Sequence, residues 1–494
     1  VVVEHSRAQT VSTPRQRWTF LAVISAALFL VGADNSILYT ALPELRDQLG
    51  TTPLQGLWII NAYPLVLSGL LLGTGTLGDR IGHRLMFLTG VTIFGLGSLI
   101  AAFSPSAWFL IAARGLLGVG AATMMPASLA LVRITFTNVR ERNLAIAIWM
   151  SVAVVGAAAG PVLGGLLLEF FWWGSVFLIN VPVVIVTLIA TLVVAPPNIA
   201  NPHKHWDLIS SVWAMLAMVG LVMAIKELAN PDRAAWLLVT STIVGVIGLL
   251  LFISRQRGLE QPLLDAQIFR NRIFTGGVLA AGLMMFVVAG VELMTTQRFQ
   301  TAGGFTPLEA GALVASVAVP AIPAALLGGS ILHRVGFIPL ISGGFALMAV
   351  GIGGAWWTFG DDSLVPFIIS LLLVGLGSGL ASSVASTAIL GAAPVDKAGM
   401  ASSVEAVSYE FGTLLSVAVF GSLLPLFYSI TAPSEVASDV DHGVDHPVHG
   451  PAAVQAYDDA YLMILVMVGV VSLLAAALTA YCFRGNPKTA EATV

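Results

Sequence analysis

A single cysteine, Cys482, occurs in the 494 residues, so the chain cannot close an internal disulfide or build a multi-cysteine metal site. Charge is also scarce. Asp, Glu, Lys and Arg make up 10% of the chain, the net charge is -4 and no large basic block occurs, which argues against nucleic acid as a partner. There is no GxxxxGKS or GxxxxGKT loop, so ATP hydrolysis is not expected, and uphill work has to draw on an ion gradient or a partner. What dominates is apolar: 57% hydrophobic residues and a mean hydropathy of +0.92, too apolar for a soluble protein of this length. The chain reads as a polytopic membrane protein and not as an enzyme.

Apolar runs of about 20 residues, the length that crosses a bilayer, recur fourteen times: near 18–43, 55–77, 85–103, 107–132, 143–168, 174–195, 207–227, 235–254, 273–297, 306–331, 338–358, 364–391, 400–428 and 458–482. The first follows Arg15 and Arg17 as a signal peptide would, but it is too long and lacks a small-residue cleavage site before Asp34, so it is read as a spanning helix. An even number of spans puts both termini on one side. With the termini inside, cytoplasmic segments hold seventeen Lys and Arg, against Arg46, Lys226, Arg233 and Arg298 outside, with Arg114 left within a helix. The positive-inside rule sets that orientation.

Gly75-Thr-Leu-Gly-Asp79-Arg80-Ile-Gly82 aligns with Gly329-Ser-Ile-Leu-His333-Arg334-Val-Gly336, 254 residues on, and Gly118-Val-Gly120 recurs as Gly375-Leu-Gly377 at almost the same offset. Asp34 and Glu292 fall at similar depths in the first helix of each unit. The expected organisation is a tail (1–17), a six-helix bundle (18–195), an inserted helix pair (207–254), a second six-helix bundle (273–482) that includes an outside loop (429–457), and a tail (483–494). The two bundles enclose a pathway.

Four acids lie within predicted helices away from their ends: Asp34, Glu292, Glu405 and Glu410. A carboxylate near mid-membrane costs about 2.5 to 3.5 kcal/mol on insertion scales, so such acids point to proton relays or cation sites. Glu405 and Glu410 are separated by about 7.5 Å along a helix and roughly 140° around it, so they do not share a face and unequal roles are expected. The one facing the polar pathway is the candidate proton carrier. The bland alternative is that either one hydrogen-bonds a neighbouring helix or lies at the cytoplasmic water boundary. By helical rise Asp34 and Glu292 lie in the outer half, Glu405 near the cytoplasmic end and Glu410 about 8 Å deeper. Arg114, the one basic residue within a helix, either neutralises an acid or a carbonyl end or takes part in proton transfer.

Gly156, Gly160 and Gly164, beside Pro161 and Gly165, leave one side of the fifth span without side chains, which implies close helix packing or a bend. In the turn Gly78-Asp79-Arg80-Ile-Gly82-His83-Arg84, glycines allow a tight backbone while an acid and bases form ion pairs that break cheaply, as a conformational latch needs. A purely topogenic loop explains Arg80 and Arg84 but not Asp79 and Gly82. Trp58, Tyr63, Trp149 and Tyr409 either pack or offer ring faces to a flat cation. Asp439, Asp441, His442, Asp445, His446 and His449 crowd the outside loop, but ligands scattered among Pro and Gly in a solvated loop are not expected to hold a metal.

With these residues in view the chain resembles the major facilitator superfamily over nearly its whole length, and within it the fourteen-helix drug:proton antiporters, closest to quaternary-ammonium and dye efflux pumps of the QacA and SmvA kind. Gly75 to Arg84 resembles the loop motif after the second helix, Arg114 with Gly118 and Gly120 the proton-linked arginine motif, and Gly156-x-x-x-Gly160-Pro161-x-x-Gly164-Gly165 the antiporter motif. Asp34 followed by Ala41-Leu42-Pro43, Trp58-Ile-Ile-Asn61-Ala-Tyr63, and Glu405-x-x-x-Tyr409-Glu410-x-Gly412 are similar to the family's first, second and thirteenth helices.

The resemblance implies an all-α integral membrane fold of fourteen helices, two six-helix bundles with an inserted pair. It also implies export of amphiphilic, mainly cationic compounds (quaternary ammonium compounds, dyes, biocides) in exchange for protons, by alternating access. Asp34 and Glu410 would be proton or cation sites, Glu405 and Glu292 auxiliary acids, Arg114 the proton-linked residue, and Trp58, Asn61, Tyr63, Trp149 and Tyr409 would line the substrate cavity. Asp79, Arg80, Gly82, Arg84 and the glycine-proline segment would serve conformational change. No organic cofactor or metal is expected, only a proton gradient. The partners are small-molecule substrates, protons and membrane lipid, and the chain is expected to act as a monomer in a bacterial inner membrane. Two departures stand out: Asn61 replaces the aspartate usual in the resembling pumps, and Pro64 a frequent serine. Asn61 carries neither proton nor charge, so either fewer or less charged cations are exported or the residue at this position is not the native one. A transporter of one physiological solute (lipid, peptide or siderophore) and a non-transporting scaffold are the competing readings.

Overall fold

The computed structural model describes residues 13–485 apart from 52, 202–205, 230–233, 260, 261, 263, 306, 361, 362, 395, 396, 438–443 and 445. Among the described residues all regular structure is helical. The helices are α1 (Pro14–Leu49), α2 (Pro53–Ile81), α3 (His83–Ala102), α4 (Ala107–Thr135), α5 (Val139–Phe170), α6 (Ser175–Leu178), α7 (Asn180–Val194), α8 (Leu208–Ala229), α9 (Ala235–Gly258), α10 (Arg272–Thr301), α11 (Pro307–Val335), α12 (Phe337–Thr358), α13 (Val365–Ala392), α14 (Ala398–Thr431) and α15 (Gly450–Phe483). Thirteen stretches of the described residues are long and apolar enough to cross a bilayer. The remaining expected span falls on α5, 32 residues long.

Helix extents differ from the hydropathy reading in three places, each for a local reason. The sixth span is interrupted between Leu178 and Asn180, because Pro182 has no N–H to return to the Leu178 carbonyl. Helix α1 runs on to Leu49 through Glu-Leu-Arg-Asp-Gln-Leu, good helix formers too polar for an apolar window. Helix α15 begins at Gly450, with Pro451 in its first turn. Its early residues Ala453, Ala456, Tyr457 and Ala460 form a buried stripe at helical spacing. With α14 helical to Thr431, the segment between these helices is shorter than 429–457.

Caps mark several starts. Ser106 Oγ accepts the Phe109 N–H at 3.4 Å, Asn138 Oδ1 the N–H groups of Arg140 and Glu141 at 2.9 and 3.3 Å, and Asn271 Oδ1 that of Ile273 at 2.9 Å.

The chain forms two compact units. The first comprises 1–220, 244–269 and 393–407, the second 221–243, 270–392 and 408–494. Helices α8, α9 and α14 each contribute residues to both units. Within the first unit α1 packs on α5, α4 on α2 and α3, and α7 on α1 and α3. Within the second, α13 packs on α11, α12 and α10, and α15 on α12 and α10.

The internal repeat is visible in the backbone. Gly82 and Gly336 precede α3 and α12 with φ of 97° and 89°, values that only glycine adopts cheaply. Helix α4 meets α2 at Gly118, where an added Cβ would lie 2.7 Å from the Tyr63 carbonyl, and α3 at Gly120, 2.6 Å from Phe94 N. Helix α13 repeats this: a Cβ on Gly375 would collide with the Val317 carbonyl of α11, and one on Gly377 with the Gly344 carbonyl of α12. Burial is uneven along the chain. The spanning stretch of α4 is 78% buried and that of α9 22%, with Val239, Ile243, Ile247 and Leu250 of α9 exposed.

Candidate functional site

The first unit encloses a buried ion pair. Arg114 Nη1 of α4 donates to Asp34 Oδ2 of α1 at 2.5 Å, and neither side chain is exposed. Arg114 Nε donates to the Ile59 carbonyl of α2 at 3.2 Å, and its guanidinium lies 4.8 Å from the centre of the Tyr63 ring. Pro64 of α2 has no N–H to return to the Ile60 carbonyl, so the ladder is opened next to the Ile59 carbonyl that Arg114 takes. Tyr63 is buried, with its ring against that guanidinium.

The second oxygen of Asp34 is also engaged. Asn180 Nδ2, in the first turn of α7, donates to Asp34 Oδ1 at 3.0 Å and to Ser98 Oγ of α3 at 3.1 Å. Five helices therefore meet in one polar cluster in which Asp34, Arg114, Ser98 and Asn180 are all at most 2% exposed. Asn180 and Ser98 escape a search weighted toward ionisable groups. The available signal is a lone Asn in an apolar run, which membrane burial makes costly unless it is paired.

Trp149 Nε1 of α5 donates to Ser128 Oγ of α4 at 3.1 Å. Trp58 and Asn61 are half-buried on α2. Glu405 is buried and belongs to the first unit, whereas Glu410 and Tyr409 are half-buried residues of the second, where the Tyr409 hydroxyl lies 3.5 Å from the Ser382 carbonyl. Glu292 is a half-buried residue of α10 in that unit. In the loop, Asp439, Asp441, His442 and Asp445 lie outside the described residues, and His446 Nδ1 accepts the N–H groups of Val448 and His449.

The glycines of α5 take the α1 backbone almost into contact. A Cβ on Gly156 would lie 2.5 Å from the Phe29 carbonyl, and one on Gly160 2.8 Å from the Ala33 carbonyl and on top of Ser36 Oγ. Gly164 is buried, and Gly165 faces open space and takes no part in this contact. The side chain of Pro161 lies outside the described residues.

At the α2–α3 turn, Asp79 Oδ1 accepts the Gly399 N–H at 3.0 Å and lies 3.1 Å from His83 Nε2. Gly399 stands in the first turn of α14, where free N–H groups favour an anion. Ser403 Oγ donates to the Leu71 carbonyl at 2.6 Å, and a Cβ on Gly399 would strike the Gly75 carbonyl. Arg80 is exposed. Arg84 instead donates to the carbonyls of Leu192 and Pro196 at 3.0 and 3.2 Å, capping the end of α7. Asn198 completes the turn, donating to the Ile81 carbonyl and accepting the Leu85 N–H. Nearby, Lys397 Nζ bonds Asp265 Oδ2 at 2.6 Å, and Arg255 bonds both oxygens of Asp207 at 2.5 and 3.1 Å. Sequence reading singled out neither pair.

Known proteins bear on this arrangement. The methyl viologen resistance protein SmvA of Salmonella typhimurium is 37% identical over 416 residues, 84% of either chain. The multidrug efflux pump LfrA of Mycolicibacterium smegmatis is 35% identical, covering 85% of this chain and 83% of its own. The human organic anion transporter MFSD10 has the same fold, with a TM-score of 0.61 over 92% of this chain and 99% of its own at 16% identity. Residues 24–417 match the model of the Major Facilitator Superfamily. By these matches and its helical membrane architecture, the chain is a multi-pass transporter that belongs to the major facilitator superfamily.

Proposed function

We propose that the protein is a proton-coupled multidrug efflux antiporter of a bacterial inner membrane, with both termini cytoplasmic, which exports amphiphilic and mainly cationic compounds by alternating access. The observation that carries the coupling is the Asp34–Arg114 pair, sealed from water between α1 and α4. A proton on Asp34 removes the partner charge of a buried arginine. Leaving one member of a buried pair uncompensated costs about 3 to 5 kcal/mol, so protonation and rearrangement of these helices go together. Arg114 Nη2, buried with no partner among the described residues, is a donor that a rearranged state can satisfy.

Drug export is supported by the relatives, one named for resistance to methyl viologen and one a multidrug efflux pump. Glu410, with Glu405 and Glu292, supplies further carboxylates for protons or cations, and half-buried Trp58 and Tyr409 supply ring surface. The chain works as a monomer, without organic cofactor or metal.

The test uses proteoliposomes with an imposed pH gradient and ethidium or a quaternary ammonium compound as substrate. Substrate-driven proton movement in the intact protein, lost in Asp34→Asn and in Glu410→Gln, supports antiport. If no cation moves protons, the reading fails and a neutral or anionic physiological solute takes its place.

A further inference from the structure

We infer that Asn180 is a positioning residue that follows the protonation state of Asp34 by turning its carboxamide, with Ser98 as its second contact. The inference rests on the proton-coupling reading and assigns a part in it to α7.

Each oxygen of Asp34 has one donor, Arg114 Nη1 on Oδ2 and Asn180 Nδ2 on Oδ1. Arg114 is the charged group that acts on Asp34, and the other neighbours across the cluster are the neutral Ser98 and Asn180 and, beneath the guanidinium, the phenol of Tyr63. An arginine only donates, so it has nothing to offer a protonated acid at the same oxygen. A carboxamide both donates and accepts. While Asp34 is ionised, Asn180 Nδ2 serves Asp34 Oδ1 and Ser98 Oγ together. Once Asp34 is protonated on Oδ1, a half-turn about the last side-chain bond of Asn180 puts its own Oδ1 in the same place. There it accepts from the Asp34 O–H and, after rotation of the hydroxyl, from Ser98 Oγ–H. The acid, the carboxamide and the hydroxyl keep partners in either state, so α7 stays tied to α1 and α3 while Arg114 loses its counter-charge. Ser98 fits this scheme because a hydroxyl also takes either role. The device sits where the chain is locally free to shape it, in the first turn of α7 just after the interruption at Ile179.

The bond from Asn180 to the ionised carboxylate is charge-assisted and roughly twice as strong as its neutral counterpart, so losing Asn180 disfavours the ionised arrangement more than the protonated one. The experiment is proton-driven efflux of ethidium from proteoliposomes as a function of pH, with substrate affinity measured separately at one pH. Asn180→Leu and Ser98→Ala are each expected to move the pH of half-maximal exchange upward, by about 0.5 to 1 for the former and less for the latter, with ethidium affinity unchanged. A purely structural role would lower the amount of active protein without moving that midpoint. Ser98→Ala, which removes one hydroxyl, decides the matter if Asn180→Leu does not insert. Midpoints equal to the wild-type value in a coupled protein overturn this inference alone. A wild-type protein that exchanges no proton overturns the antiport reading and this inference with it.

Discussion

Asp207, just ahead of α8, accepts from both Nε and Nη2 of Arg255 near the end of α9, and the same carboxylate caps α8 by accepting from Ser210 Oγ at 2.7 Å and Ile209 N at 3.1 Å. One acid thus fixes the start of one helix and the end of the next. The Arg255 hydrogen bond lowers the Asp207 pKa from 3.8 to about 2. A folded-state value below the unfolded one gives stability that is present in full above the unfolded pKa and lost as pH falls through the folded one. Asp207→Asn is therefore expected to lower the melting temperature at neutral pH, by an amount equivalent to less than about 1 kcal/mol because the pair is partly solvated. The difference from wild type should close between about pH 4 and pH 2, read by thermal unfolding in detergent.

Arg114→Leu leaves Asp34 buried without its counter-charge and is expected to destabilise by about 3 to 5 kcal/mol. The double variant Asp34→Asn/Arg114→Leu should recover most of that stability, because the isolated charge is gone, yet remain inactive in export. Unfolding in micelles and dye efflux in vesicles separate the two effects. Equal stability of the single and double variants would refute the pairing.

The glycines of α5 were recognisable as a packing motif, and their neighbours give them different weights. Gly160→Ala pushes a methyl into Ser36 Oγ and the Ala33 carbonyl and is expected to cost about 1 to 3 kcal/mol and most transport. Gly165→Ala meets nothing within 4 Å and is expected to be neutral or stabilising by up to about 1 kcal/mol through helix propensity. Matched melting curves decide.

Asn61→Asp introduces a carboxylate at a half-buried position of α2, two residues on from Ile59. Export of dications should rise about threefold to tenfold relative to monocations, as expected when a second anionic group is within a few ångströms of the substrate. Competition assays with mono- and bis-quaternary compounds measure it, and an unchanged ratio would place Asn61 away from the substrate.

Lys397→Gln removes the ion pair that joins the segment after α9 to the start of α14. Asp265 is held below its usual pKa mainly by that lysine, so wild type should lose the contact only as pH falls below the usual carboxylate range, while Lys397→Gln should behave at neutral pH as wild type does in that acid. Protease susceptibility of the 259–271 segment reports the difference.

Spanning segments were legible in the sequence because the bilayer imposes a length on apolar runs, and the duplication because turn glycines at 82 and 336 cannot be replaced cheaply. Asp34 and Arg114 were each singled out as costly intramembrane charges, but nothing in their spacing said that they pair, since 80 residues separate them and helix order alone does not fix rotation. The partners on α3 and α7 were missed because Ser and Asn carry no charge to betray them. The break near the start of the sixth span was missed for a smaller reason: hydropathy averages over the interruption that Pro182 makes. The start of α15 was placed late because its first residues bury a stripe and not a continuous apolar run.

Burial also divides the helices by how they record mutational history. Helix α4 is enclosed on most sides, with glycines set against two neighbours and an arginine held by Asp34, the Ile59 carbonyl and the Tyr63 ring, so many of its positions are tied to particular residues. Helix α9 faces outward over most of its surface, and nearly any apolar side chain serves there equally well. Saturation mutagenesis would therefore read α4 as a text and α9 as a composition, and a residue count of differences between two such transporters would overstate their functional distance wherever the changes fall on α9.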